Sequence, residues 1–299
     1  MPVRFVFMTD SHHYPNAPKD YGAPKMLTHS QRVMEAAVPK INALHPDFIV
    51  HGGDLLCGGS SFELPWSTYL QSIEEVADVF AGFEAPSYYI PGNHDADAGN
   101  GSFAEFAKRF PISEVIDVVD VVPRLRLALA NVYHQCNPVT EGNGLWTDAH
   151  DNALREIAEK AYHERCAVLL VLHTWVLPSY EHQGITGIID GADRLLATVN
   201  EHPAIVAIFT GHRHTNRMRM YRDFLIVDTA CLIGFPMGFR EIQLMEDGYF
   251  VTQFHQLDLP DVIQASFDRS SLETNDRWQG EIHDRDTEML LPRLREIWC

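Results

Sequence analysis

Val3-Arg4-Phe5-Val6-Phe7-Met8-Thr9-Asp10-Ser11-His12 is the stretch whose pattern sets the fold. Six residues rich in β-branched and aromatic side chains read as a buried strand, and the polar triplet Asp10-Ser11-His12 follows almost at once. The arrangement recurs four times. Residues 47–50 lead into Gly52-Gly53-Asp54, 87–90 into Gly92-Asn93-His94-Asp95, 167–172 into His173, and 204–209 into Gly211-His212-Arg213-His214. Further strand patterns lie at 124–130, 217–220 and 224–227, and 239–244 and 249–255 flank Asp247-Gly248, a hairpin signal. Helical periodicity fits 30–44, 68–80, 102–110, 148–164 and 192–200, with Pro39 expected to kink or end the first. Strands alternating with helices predict an α/β fold. Ligands of such sheets bind beyond the carboxyl ends of the strands, so the five polar clusters are expected to meet at one edge.

The chain of 299 residues carries 23 Lys plus Arg against 41 Asp plus Glu, a formal charge of −18. That balance excludes a general nucleic-acid binder and a binder of anionic membrane surfaces, both of which need an extended basic face. The longest apolar run, residues 166–172, is far short of the roughly 20 needed to span a bilayer. Five scattered cysteines and the absence of a signal-peptide pattern lead us to expect a reduced, cytoplasmic protein. Residues from about 260 onward turn acidic and polar until an amphipathic stretch at 288–298. We expect a domain over 1–259 and a C-terminal extension, 260–299, packing on it or on a neighbouring subunit of a homo-oligomer.

Asp10, His12, Asp54, Asn93, His173, His212 and His214 supply carboxylates, an amide and imidazoles. This set suits Mn, Fe or Zn rather than Ca or structural Zn. Seven donors exceed one tetrahedral ion and match two ions sharing a carboxylate, which can clamp both oxygens of an in-line displacement at phosphorus. Two divalent ions bring four positive charges; Asp10, Asp54 and a hydroxide remove three, so a phosphate anion can still bind. Each motif alone is ordinary: Asp-x-His fits a surface loop and Gly-Asp a turn. Gly-His-x-His is rarer, with about 0.05 chance copies per chain of this composition, and all five in order leave little room for coincidence. Gly53, Gly92 and Gly211 each precede a donor, where a close backbone approach would exclude a Cβ.

On these residues the chain resembles the calcineurin-like metallophosphoesterase superfamily, whose pattern is Asp-x-His, Gly-Asp, Gly-Asn-His-Asp/Glu, His and Gly-His-x-His. The resemblance covers roughly residues 3–257 and is strongest with the class III cyclic-nucleotide phosphodiesterase and glycerophosphodiesterase group. It implies a four-layer α/β/β/α sandwich, two mixed sheets flanked by helices. It also implies a first metal on Asp10, His12, Asp54 and His214, and a second on Asp54, Asn93, His173 and His212, with Asp54 bridging. His94 is then the catalytic residue beside the scissile phosphate, and a metal-bound hydroxide attacks small-molecule phosphodiesters. Phosphomonoesters are the alternative substrate, and a non-catalytic scaffold would be expected to have lost some of these residues. Where Ser/Thr protein phosphatases carry an Asp three residues after the Gly-Asp aspartate, this chain has Cys57, which disfavours that assignment.

The long loops 14–24, 58–66 and 175–189 adjoin the clusters. In them Trp175, Tyr180 and His182 offer stacking or packing surfaces, and we single out Trp175 and Arg213 as substrate contacts. Arg217 and Arg219, alternating with Met218 and Met220, read as a strand with a solvated basic face.

Overall fold

The computed structural model describes residues 2–21, 24–59, 62, 64–178 and 187–299. Tyr180 and His182 lie outside these. The strands in chain order are β1 (Val3–Met8), β2 (Phe48–His51), β3 (Ser87–Tyr89), β4 (Ile116–Val122), β5 (Leu125–Ala130), β6 (Ala167–Val171), β7 (Ile205–Thr210), β8 (Arg217–Tyr221), β9 (Phe224–Asp228), β10 (Gly238–Leu244), β11 (Tyr249–Gln256) and β12 (Thr287–Leu290). The helices are α1 (Ser30–Asn42), α2 (Trp66–Phe80), α3 (Phe106–Arg109), α4 (Asp148–His163), α5 (Ala192–Glu201), α6 (Pro260–Asp268), α7 (Leu272–Gln279), α8 (Ile282–Arg285) and α9 (Pro292–Trp298).

Two six-stranded mixed sheets result, in the orders β12-β11-β10-β1-β2-β3 and β4-β5-β6-β7-β9-β8. Alternation along β1 explains why they stack. Phe5 and Phe7 point one way: Phe5 stacks on Phe48 at 4.8 Å and meets Phe209 of the second sheet edge-on at 5.7 Å. Val6 and Met8 point the other way and share a core with Val33 and Met34 of α1 and Ile73 and Val76 of α2. Leu154 and Ala158 of α4 and Leu195 and Val199 of α5 join the core of the second sheet. The layers are therefore helix, sheet, sheet, helix. Each fully buried aromatic or aliphatic side chain adds about 1.5–3 kcal/mol of burial.

β1, β2 and β3 run parallel in one sheet, as do β6 and β7 in the other. Their carboxyl ends carry all five polar clusters. No helix among the described residues is long and apolar enough to cross a membrane.

Several elements differ from expectation. Pro39 does not end α1, which runs on to Asn42 because buried Ile41 anchors the last turn. The helix expected over 102–110 is confined to Phe106–Arg109. The 288–298 stretch divides into two elements: the open edge of β11 pairs with β12, and Pro292 then opens α9. Leu291, Leu294 and Ile297 of this end enter the main core. Arg293 is buried and donates to the carbonyls of Val199, His202 and Ile205.

Candidate metal centre

The loops that follow the strands turn abruptly. Asp10, His12, Asp54, His212 and His214 all have φ between 43° and 68°, a region that non-glycine residues rarely adopt. Such conformations cost about 1–3 kcal/mol each and persist only where surroundings impose them. Two glycines show the constraint. A Cβ on Gly92 would collide with the carboxylate and amide of Asp54, and one on Gly211 with Thr9 and Asp10.

The seven donors converge as two clusters. In the first, Asp10, His12 and His214 meet. His214 Nε2 is 3.1 Å from Asp10 Oδ1, and His12 Nε2 is 3.6 Å from the same oxygen and 3.3 Å from His214 Nε2. In the second, Asp54, His173 and His212 meet, with His173 Nε2 at 3.1 Å from Asp54 Oδ2. Asn93 Oδ1 faces His212 Nδ1 at 3.0 Å and so joins this group. Asp54 stands between the clusters, since its Oδ2 is also 3.7 Å from His12 Nε2. The backbone N–H of His94 donates to Asp54 Oδ1 at 2.7 Å and leaves Oδ2 facing the imidazoles.

The chemistry of these donors fits cations. His173 Nδ1 donates to the Gly52 carbonyl at 2.7 Å, which turns Nε2 toward the Asp54 carboxylate without a hydrogen bond between them. A ligating histidine typically holds its other N–H on a carbonyl in this way. Lys25 Nζ donates to His12 Nε2 at 3.1 Å, so that lone pair also faces a positive group. Burial opposes charge on His173, but the Asp54 and Asp10 carboxylates raise its pKa to about 9. Burial would likewise raise Asp54, yet His173, His94 and His12 hold it well below the usual carboxylate range. Burial and Lys25 keep His12 and His214 down at about 4, as neutral donors.

His94 lies at the rim, its ring 5.2 Å from that of His12. Its Nδ1 donates to the Gly58 carbonyl at 2.8 Å, so a backbone group orients it. Cys57 itself is buried and donates to the His12 carbonyl, and burial pushes its thiol up. His13 turns away from the centre toward Glu75 and Ser30.

Two expectations need correcting. Trp175 is 1% exposed and does not line the pocket over the clusters; the Arg217 guanidinium stacks on its ring at 3.8 Å. Its bulk is used for packing, not for substrate. Arg217 is not solvated: it pairs with Asp228 on the adjacent strand and donates to the Leu177 and Pro178 carbonyls. Met220, which follows Arg219, is exposed. Arg213 does line the pocket, of about 360 Å³, together with Asp54, Asn93, His94, His212 and His214. Lys25, Arg277 and Trp278 also line it. Sequence reasoning missed these three, because they belong to no motif and reach the pocket only through the folded chain. Trp278 of α7 sets its ring edge-to-face against His214 at 4.7 Å.

The family model of the calcineurin-like phosphoesterases matches residues 3–216. A protein of Rhodopseudomonas palustris named as a probable cyclic nucleotide phosphodiesterase is 29% identical over 144 residues, which cover 47% of this chain and 46% of that one. The match thus spans about half of each protein. Among solved structures, a dimetal phosphatase from Danio rerio superposes with a TM-score of 0.69 at 14% identity, covering 85% of this chain and 96% of that chain. The sulfate thiohydrolase SoxB of Thermus thermophilus gives 0.51 at 14% identity over 89% and 59% of the two chains. GAP50, an anchor in the inner membrane complex of Plasmodium, gives 0.50 at 13% over 90% and 95%. Likeness of fold joins proteins of different roles. The matched span, which runs from β1 through the Gly-His-x-His turn and encloses both clusters, shows that the chain belongs to the calcineurin-like phosphoesterase family.

Proposed function

We propose that this chain is a two-metal phosphodiesterase acting on small-molecule diesters such as cyclic nucleotides or glycerophosphodiesters. The observation that carries the reading is Asp54, whose Oδ2 faces His173 and His12 while His94 stands beside it at the pocket rim. Asp10, His12, Asp54 and His214 would hold one ion. Asp54, Asn93, His173 and His212 would hold the other. Carboxylate, amide and imidazole donors suit Mn, Fe or Zn. Two such ions supply Lewis-acid polarisation of a phosphoryl oxygen and activation of water.

The protein's own residues do the rest. Asp54 keeps the clusters in register. His94 presents Nε2 to the pocket, because Nδ1 is committed to Gly58. Burial keeps its pKa down at about 4 in the free protein. An anionic ester against Nε2 favours the protonated form, so the proton passed to the leaving oxygen is acquired together with the substrate. Arg213, at the pocket wall, supplies donors for an anionic oxygen of the substrate.

The diester preference draws on the named activity of the Rhodopseudomonas relative, and the complete donor set argues against a scaffold that has lost chemistry. We place the activity in the cytoplasm. The test is hydrolysis of bis-p-nitrophenyl phosphate against p-nitrophenyl phosphate by metal-stripped protein reconstituted with Mn²⁺. Metal-dependent turnover favouring the diester is expected. Turnover favouring the monoester would replace the reading with a phosphomonoesterase, and no turnover with two ions bound would return it to the scaffold.

A further inference from the structure

Arg213 and Arg277 line the pocket over the clusters, and neither guanidinium has a hydrogen-bond or ion-pair partner among the described residues. The contrast with other arginines is plain. Arg217 sits on Asp228, Arg126 on Asp120 and Glu164, and Arg293 on Asp223. Lys25 adds a third cation to the same pocket, its Nζ packed over the rings of Tyr21 and Phe62. In a protein with 41 acidic residues, these three basic groups converge on one pocket and none of them pairs with a carboxylate among the described residues, which leaves them poised for an anion from outside.

A diester with a single negative charge does not account for them. Two divalent ions less Asp10, Asp54 and a hydroxide already leave about one positive charge, which one such diester balances. Lys25, Arg213 and Arg277 then remain as a surplus. Arg277 comes from α7, outside the family-matched residues 3–216, so it is a contribution of this chain's own C-terminal part. The segment is well held: Asn216 N–H donates to the Trp278 carbonyl at 3.1 Å, and buried Arg240 donates to the carbonyls of Asp284 and Arg285.

We infer that Lys25, Arg213 and Arg277 form a second anion site, and that the substrate is a phosphodiester carrying a further, terminal phosphate. This rests on the phosphodiesterase reading and narrows it. Two measurements separate the failure of one from the failure of the other. The first compares kcat/KM of the Mn²⁺-loaded protein on p-nitrophenyl phosphate, on the p-nitrophenyl ester of thymidine 5′-phosphate, and on that ester bearing a 3′-phosphate. We expect the 3′-phosphorylated ester to lead its parent by about 10- to 100-fold, as one charge-assisted contact provides. In Arg213→Gln and Arg277→Gln that ratio should fall by about 5-fold or more. Equal rates on the two thymidine esters, or a ratio untouched by both variants, would overturn the second site while leaving the phosphodiesterase intact. Preference for p-nitrophenyl phosphate would assign the cations to the scissile group and overturn it too. The second measurement is thermal melting of metal-stripped protein in inorganic phosphate against sodium chloride of equal ionic strength. A rise in Tm that is lost in both variants supports the site even if no ester is turned over, and its absence in the wild type overturns the site.

Discussion

Asp54 Oδ2 is 3.1 Å from His173 Nε2 and 3.7 Å from His12 Nε2, so removing it reaches both clusters at once. Asp54→Ala should lose both ions and all turnover, read by elemental analysis of gel-filtered protein. Two ions per chain retained in this variant would sink the shared-carboxylate assignment. His94 makes a different prediction, because its side chain is bonded to the Gly58 carbonyl rather than to a cluster. His94→Ala should keep both ions and slow kcat by about 10²–10⁴-fold on an alkyl ester, the range of a positioned acid. The comparison needs a poor leaving group, since p-nitrophenolate leaves without a proton. At this scale the sequence was most informative: the seven donors identified from five motifs are all drawn into two clusters. Lys25 and Arg277 were invisible for a physical reason. A lone basic residue in a loop or a polar helix has no local signature until folding brings it over a site.

The helices show how local chemistry secures the layers. α4 opens with a capping box in which the Thr147 side chain accepts from the His150 N–H, and the Thr147 N–H donates to His150 Nδ1. His150 Nε2 donates to the Asn131 carbonyl at 2.8 Å, so both ring nitrogens are engaged only while the imidazole is neutral. Burial lowers the pKa of His150 from 6.5, and the Asn131 bond only partly opposes this. A histidine with a depressed folded pKa binds more protons when unfolded. Its contribution to stability is therefore complete above pH 6.5 and declines as pH falls below it. Urea unfolding of His150→Gln should show a weaker loss of stability from pH 7 to 5 than the wild type; parallel profiles would refute the role. Thr147→Ala should cost about 1 kcal/mol at any pH in this range. The strands with unbroken apolar runs were legible because both faces are buried, as in β6 and β7. β4, Ile-Asp-Val-Val-Asp-Val-Val, escaped notice because it is a half-exposed edge strand whose aspartates interrupt the run. β12 escaped because its four residues pair only with the distant β11.

For the whole molecule, the C-terminal forty residues are where reading from sequence gave least. Their polar composition concealed Leu294 and Ile297, which enter the main core beside β6 and β7. Leu294→Ala should cost about 2–5 kcal/mol in urea unfolding and keep one transition. A change under about 1 kcal/mol would show that this end stands apart from the cooperative unit. The order of the chain has one more consequence. β1 is made before β2 and β10 but lies between them, and Asp10 pairs with His214 across a separation of 204 residues. The Gly211–His214 turn delivers one imidazole to each cluster, so a nascent chain lacking it has neither cluster complete. An ion that needs a whole cluster therefore meets a chain in which β1 to β7 have already been made, so it cannot template the pairing of the first strands.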